Sequence, residues 1–275
     1  MFKIYDLNMK ELPFPEGVKP LDIFVSSINK RRLTEEFEGR NGTMNYGYDY
    51  GERSVDLSLW LEAHDTIDYR LIRNELYAFF DTHDIFYIEE TRLPSRVLKV
   101  TIDENYIPER INQTHSSVEI SCRTLDNVFW ESRYTTLDLH DSGYTAIAEK
   151  YGLVDNINDE KVKYRFTENN FTVYNAGDVT IEPENMLLNI IVNAVQSANN
   201  FTIRNKTTGE EIVLKRASTG SHFRIQGMVI SLGSITNIFR DTNRRFISLV
   251  PGDNQFEILH GTFEEIRFEF KFLYK

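Results

Sequence analysis

The chain has 275 residues, among them 19 Phe and 14 Tyr, a formal net charge of −11 and a single cysteine, Cys122. That length suits one large or two ordinary domains, each able to bury a core, and the aromatic content favours β-structure. The acidic balance, with no basic stripe to release counterions from phosphates, argues against a wrapped nucleic-acid partner, and one cysteine rules out an intramolecular disulfide framework.

Leu21, Ile23 and Val25 alternate with Asp22, Phe24 and Ser26, the period of a half-buried strand. Lys30-Arg31-Arg32, followed by Glu35, Glu36 and Glu38, reads as a solvated strand-turn face. The stretch Asn41–Gly51 then sets Tyr46, Tyr48 and Tyr50 at alternate positions among Gly42, Gly47 and Gly51. Tyrosine supplies large contact area at low entropic cost and is enriched in interface cores. Two readings fit equally. The tyrosines of a hairpin tip cover a neighbouring strand of the same molecule, or they form one aromatic face at a subunit or tube interface. Tyr46, Tyr48 and Tyr50 are the candidate interface residues of this chain.

Val55, Leu57, Leu59 and Leu61 alternate as a second strand. The period then changes. Tyr69, Ile72, Leu76 and Phe79 recur every three or four residues, predicting an amphipathic helix from Asp65 to about Asp81, capped by Asp65 or Thr66 and laid on a sheet. Strands follow at Ile85–Glu90, Val97–Asp103, Ser117–Arg123 and Leu125–Trp130, with Cys122 on the apolar side of its strand as a buried, inert thiol. From Ser132 to Lys163 the pattern weakens; a short helix at Thr145–Tyr151 and a polar loop at Asp155–Lys161 are expected. Beyond it, short strands separated by polar turns indicate a β-sandwich. The expected division is a domain over 1–134, a connecting segment over 135–164 and a second domain over 165–275, in a mainly β chain.

Chemistry-bearing motifs are missing. The six histidines do not cluster at metal-ligand spacing, and Asp155–Glu160 has Ile157 at the third position of a calcium loop and no turn glycine. There is no phosphate-cradling glycine loop and no Gly-x-Ser-x-Gly frame. No catalytic, metal-ligating or cofactor-binding residue is assigned, and the expected role is binding or structural, not enzymatic. No apolar run has signal-peptide or membrane-span length, so cytoplasmic synthesis is expected.

Three further features carry a resemblance. The turn Asn205-Lys206-Thr207-Thr208-Gly209-Glu210 joins two short strands, and Pro251-Gly252-Asp253-Asn254 leads into a terminal strand alternating through Ile266, Phe268, Phe270 and Phe272. In the first half, a glycine-containing loop after an Arg-rich strand leads to Val55–Ala63, one helix, a strand pair, Tyr106-Ile107-Pro108 and Val128-Phe129-Trp130. In this order the motifs resemble the distal tail proteins (Dit) of siphophages over nearly the whole chain. The resemblance implies an N-terminal β-sandwich with one helix that assembles into a hexameric ring, and a C-terminal galectin-like β-sandwich projecting outward. It implies a virion location at the tail tip. The implied partners are the chain itself, the tail tube protein, the tail-associated fibre or lysin protein and receptor-binding proteins, with DNA passing through without stable binding and no membrane contact. Two departures matter. The stretch from Ser132 to Lys163 carries no motif that matches the family. Both tryptophans, Trp60 and Trp130, lie in the first half, so a lectin-like second domain lacks the usual stacking platform unless Tyr174 or a Phe replaces it. A carbohydrate-binding tail or cell-surface protein is the alternative reading.

Overall fold

The structure, a computed structural model, describes residues 1–39, 41–142 and 159–275. The chain divides into two compact units, Met1–Trp130 and Glu131–Lys275. The helix expected at Thr145–Tyr151, and most of the loop expected at Asp155–Lys161, lie outside the described residues.

The first unit contains β1 (Phe2–Tyr5), β2 (Val18–Val25), β3 (Asn29–Glu36), β4 (Thr43–Gly51), β5 (Ser54–Glu62), helix α1 (Thr66–Thr82), β6 (Ile85–Glu90), β7 (Arg96–Ile102), β8 (Glu109–Arg110) and β9 (His115–Thr124), with β10 (Trp130–Ser132) following. Its main sheet runs β1-β6-β7-β9-β5-β2, with β8 beside β9. The two edge strands approach one another, so the sheet curls around its core; the Met1 amino group lies 4.0 Å from the Asp22 carboxylate. Val55, Leu57 and Leu59 of β5 face Cys122, Ile120 and Val118 of β9 across the ladder. These side chains are buried, and each fully buried aliphatic one contributes roughly 1.5–3 kcal/mol of transfer free energy.

Helix α1 begins where the sequence predicts. Asp65 caps it, accepting from the N–H groups of Ile67 (2.8 Å) and Asp68 (2.9 Å), which satisfies two of the orphan donors of the first turn. Asp68 reaches back to accept from His64 N–H (2.8 Å). The buried face is Tyr69, Ile72, Leu76 and Phe80; Phe80, not Phe79, completes it, because the i+4 step from Leu76 brings Phe80 onto Phe86 at 5.6 Å between ring centroids. The strand expected at Leu125–Trp130 is also corrected. Asp126 takes φ +63 and turns the chain there, and only Trp130–Ser132 is extended and paired.

The second unit comprises β11 (Arg165–Phe166), β12 (Asn170–Asn175), β13 (Leu188–Ser197), β14 (Phe201–Asn205), β15 (Glu210–Leu214), β16 (Ser218–Gln226), β17 (Val229–Leu232), β18 (Gly252–Leu259), β19 (Glu265–Phe270) and β20 (Leu273–Tyr274). One sheet runs β11-β19-β13-β16-β17 and the other β12-β18-β14-β15, a two-layer sandwich. Aromatic side chains join the layers. Phe256 of β18 lies 4.9 Å from Phe268 of β19 and 5.5 Å from Phe171, onto which it stacks. Thr136, Leu139, Val162 and Tyr164, from the described parts of 135–164, are also buried. Thr136 Oγ1 donates to Phe268 O (2.9 Å), and the Tyr164 ring meets Phe270 edge-on at 5.7 Å.

The two turns singled out in the sequence interlock. Asn205 and Asn254 are both 0% exposed, and Asn205 Nδ2 donates to Asn254 Oδ1 (3.2 Å) and to Ser248 O (2.9 Å). The Asn254 amide also holds Val250, accepting from its N–H (3.0 Å) and donating to its carbonyl (2.7 Å). Glu210 accepts from both the N–H and the hydroxyl of Ser248, each at 2.7 Å, and Thr207 Oγ1 accepts from Gln255 N–H (2.9 Å). The motif residues thus pin one loop to the other. Gly252 takes φ +88, the left-handed conformation that the Pro-Gly turn predicts.

Candidate assembly surface

Strands β3 and β4 pair only with each other and form a two-stranded hairpin outside the main sheet. An isolated two-stranded hairpin is marginal in water, so its root matters. Arg53 is buried there, its guanidinium donating to Ser26 O (2.8 Å) and Val128 O (3.5 Å), and desolvation lowers its pKa. Ser26 and Ser54 bond twice, Ser26 N–H to Ser54 O and Ser54 N–H to Ser26 Oγ, each at 3.0 Å. Gly51, opposite Asn29, is buried. The arm therefore leaves a fixed base.

Beyond the base the arm is in solvent. All eight residues of β3 are exposed, and Leu33, Phe37, Tyr46 and Tyr48 expose 43–56% of their surface. Grouped apolar exposure of this kind marks an interaction surface more often than scattered single residues do. The tyrosines do not share one face. Between the pairs Arg32↔Tyr48 and Thr34↔Asn45 the register shifts, because Tyr46 and Gly47 together oppose Leu33. Gly47 takes φ +114, as a bulge glycine can. Tyr48 and Tyr50 stay together, their rings edge-on at 5.4 Å with Lys30 Nζ 4.7 Å from the Tyr48 centroid. Tyr46 falls on the other face, donating to Glu35 (3.1 Å). The single aromatic face expected from alternate spacing is thereby corrected to two.

Tyr50 also packs inside its own unit, edge-on to Phe129 at 5.3 Å. Its phenol is held above the ordinary range, first by the hydrogen bond with Tyr48 and then by burial. Of the three sequence-selected residues, then, Tyr46 and Tyr48 are presented outward and Tyr50 belongs partly to the base. Leu21 and Phe24 on the edge strand β2 expose 44% and 59%. The contributions of Arg53 and Phe129 were not foreseen; a lone arginine beside Ser54 carries no sequence signal for burial.

Elsewhere the chemistry is sparse. Cys122 is buried and desolvation pushes its thiol up to about 12. No group of three or more His, Cys, Asp or Glu suited to a metal occurs among the described residues, and no described helix is long and apolar enough to cross a membrane. Tyr174 lines an open cleft of about 530 Å³ in the second unit with Phe171, Asn170 and Asp253. Lys161 Nζ sits 4.9 Å from the Tyr174 ring centroid and is tied to both Asp253 oxygens, at 2.8 and 2.9 Å.

Residues 16–122, which include the arm, match the family described as phage tail protein RIFT-related domain. No curated protein matches the sequence. Among solved structures the chain is similar to the Dit protein of phage SPP1, described as a paradigm of the hub adsorption apparatus in phages infecting Gram-positive hosts. Identity is 11% and the TM-score 0.68, over 99% of this chain and 100% of that one. A chain of the phage p2 baseplate in its activated conformation with Sr matches at 11% identity over 98% and 97% of the two chains, with a TM-score of 0.43, too low to establish a common fold. The chain is mainly β, and its residues 16–122 match a phage-tail family. Over its whole length its fold is that of a siphophage distal tail protein.

Proposed function

We propose that the protein is a structural hub of the tail tip, in which six copies close into a ring where the tail tube ends. The tail-associated fibre or lysin protein joins this ring, receptor-binding proteins dock on the second unit, and DNA passes through the lumen. The observation that carries this reading is the likeness in fold to a distal tail protein along the entire chain. The exposed hairpin arm supports it. An arm held at its root and bare beyond it suits a contact made by a neighbour, and a ring requires a heterologous contact of that kind. The role is structural rather than enzymatic.

The carbohydrate-binding alternative is less well supported. Tyr174, the available substitute for tryptophan, has Lys161 lodged over its ring, and the hydrogen bond that this ammonium donates to Asp253 raises its pKa. A sugar would have to displace a fixed ion pair to stack there. Negative-stain electron microscopy of the purified protein, with calorimetric titration of wall polysaccharide into it, separates the two readings. Six-fold rings and no heat of sugar binding are expected. Micromolar sugar binding by a protein that forms no rings would replace the hub with the lectin.

A further inference from the structure

The second unit carries a basic edge to which the hub reading assigns no particular contact. Residues 201–250 hold eight Lys and Arg against three Asp and Glu, whereas the other 225 residues hold 23 against 39. Much of the excess gathers where residues 239–245 run along the open edge of β15. Thr242 bridges Leu214. Lys215 N–H donates to Asp241 O (2.8 Å) and Asn243 N–H to Val213 O (3.1 Å). The Asn243 side chain accepts from Val213 N–H (3.1 Å) and donates to Glu211 O (2.8 Å). Phe239 and Phe246 close the segment, their rings stacked at 5.6 Å and 15°.

This fixed backbone presents Arg240, Arg244, Arg245 and Lys215 to solvent. Arg216 pairs with Asp241 at 3.3 Å, but the other four make no side-chain ion pair or hydrogen bond among the described residues. Arg244 takes φ +60, a left-handed conformation that a side-chain-bearing residue adopts at a cost. Leaving four cations unpaired in a chain with so large an excess of carboxylates keeps their donors available.

We propose that this edge is a docking surface for an acidic segment of a partner protein, with carboxylates bridging Arg240, Arg244 and Arg245. Guanidinium groups bind carboxylates through two parallel hydrogen bonds. A phosphodiester polymer would satisfy the arginines as well, but Arg244 and Arg245 share a cleft of about 500 Å³ with Glu182, Glu184 and Glu210. A polymer charged at every unit is repelled there, whereas a protein segment can set its acids against the arginines and a neutral or basic residue against the glutamates. The inference needs no ring and stands or falls apart from it.

The test is fluorescence anisotropy at low ionic strength, using the full chain with a short labelled peptide of Asp, Glu and Gly, and with a labelled single-stranded oligonucleotide of equal charge as the phosphodiester probe. The R240A/R244A/R245A variant removes the edge; K10A/R70A/R92A removes the same charge from exposed positions of the first unit. The peptide should bind the parent and the control alike and the edge variant about tenfold more weakly, and the oligonucleotide should bind the parent less tightly than the peptide. The proposal is overturned if the peptide does not bind, if both variants lose binding equally, if the edge variant keeps it, or if the oligonucleotide binds more tightly.

Discussion

Asn254 is the residue on which the terminal half of the chain turns. Its amide serves Val250 on both sides and accepts from Asn205 with no solvent access. Replacement by alanine leaves the half-buried Val250 N–H and one of the two N–H groups of the buried Asn205 amide without an acceptor, at about 1–3 kcal/mol each. Asn254→Ala should therefore lower stability by about 2–4 kcal/mol in urea unfolding, and a loss below about 0.5 kcal/mol would contradict the network. The sequence placed both asparagines in turns through their Gly and Thr neighbours. It could not show that they meet, because a contact between residues 49 apart is decided by strand pairing. Cys122 offers a second check. With its thiol near 12 in the folded chain, above its ordinary value, the folded state retains the proton. Its contribution to stability is fully present below about pH 9 and declines as pH rises through the folded pKa. A thiol reagent at pH 8 should leave the native protein unmodified and label it in denaturant; rapid native labelling would show the site to be open.

Among the elements, α1 was legible almost to the residue, because caps and a 3.6-residue period are local signals. The arm was legible only in part. Alternate spacing implies one face, but that inference assumes an unbroken ladder, and the bulge at Gly47 breaks it. The consequence can be tested by separating the tyrosines. Tyr46→Ser with Tyr48→Ser removes outward-facing rings and should alter stability by less than about 0.5 kcal/mol while weakening assembly. Tyr50→Ser also removes the ring pair with Phe129 and should cost about 1 kcal/mol. Thermal melts and native mass spectrometry read the two effects. If the double variant assembles as well as the parent, the arm is no interface; if it unfolds, the arm belongs to the core of its own unit.

At the scale of the whole molecule, charge governs what the proposed hub would hold. If six copies at −11 each ring the tail axis as proposed, they carry about −66 formal charges, which would disfavour retention of DNA in the lumen. Negligible DNA affinity is expected in a gel-shift assay at physiological salt, and tight, salt-sensitive binding would contradict it. The mainly β class was readable from alternating strands, while the curl of the first sheet and the pairing order of the sandwich were not, since both depend on contacts remote in sequence.

The central claim is the closed ring, and the most direct measurement is multi-angle light scattering on the purified protein, alone and with its tail partners. The account predicts a species of about 193 kDa, six times the 32.2 kDa chain, in at least one of the two conditions. A strict 32.2 kDa monomer in both would contradict it.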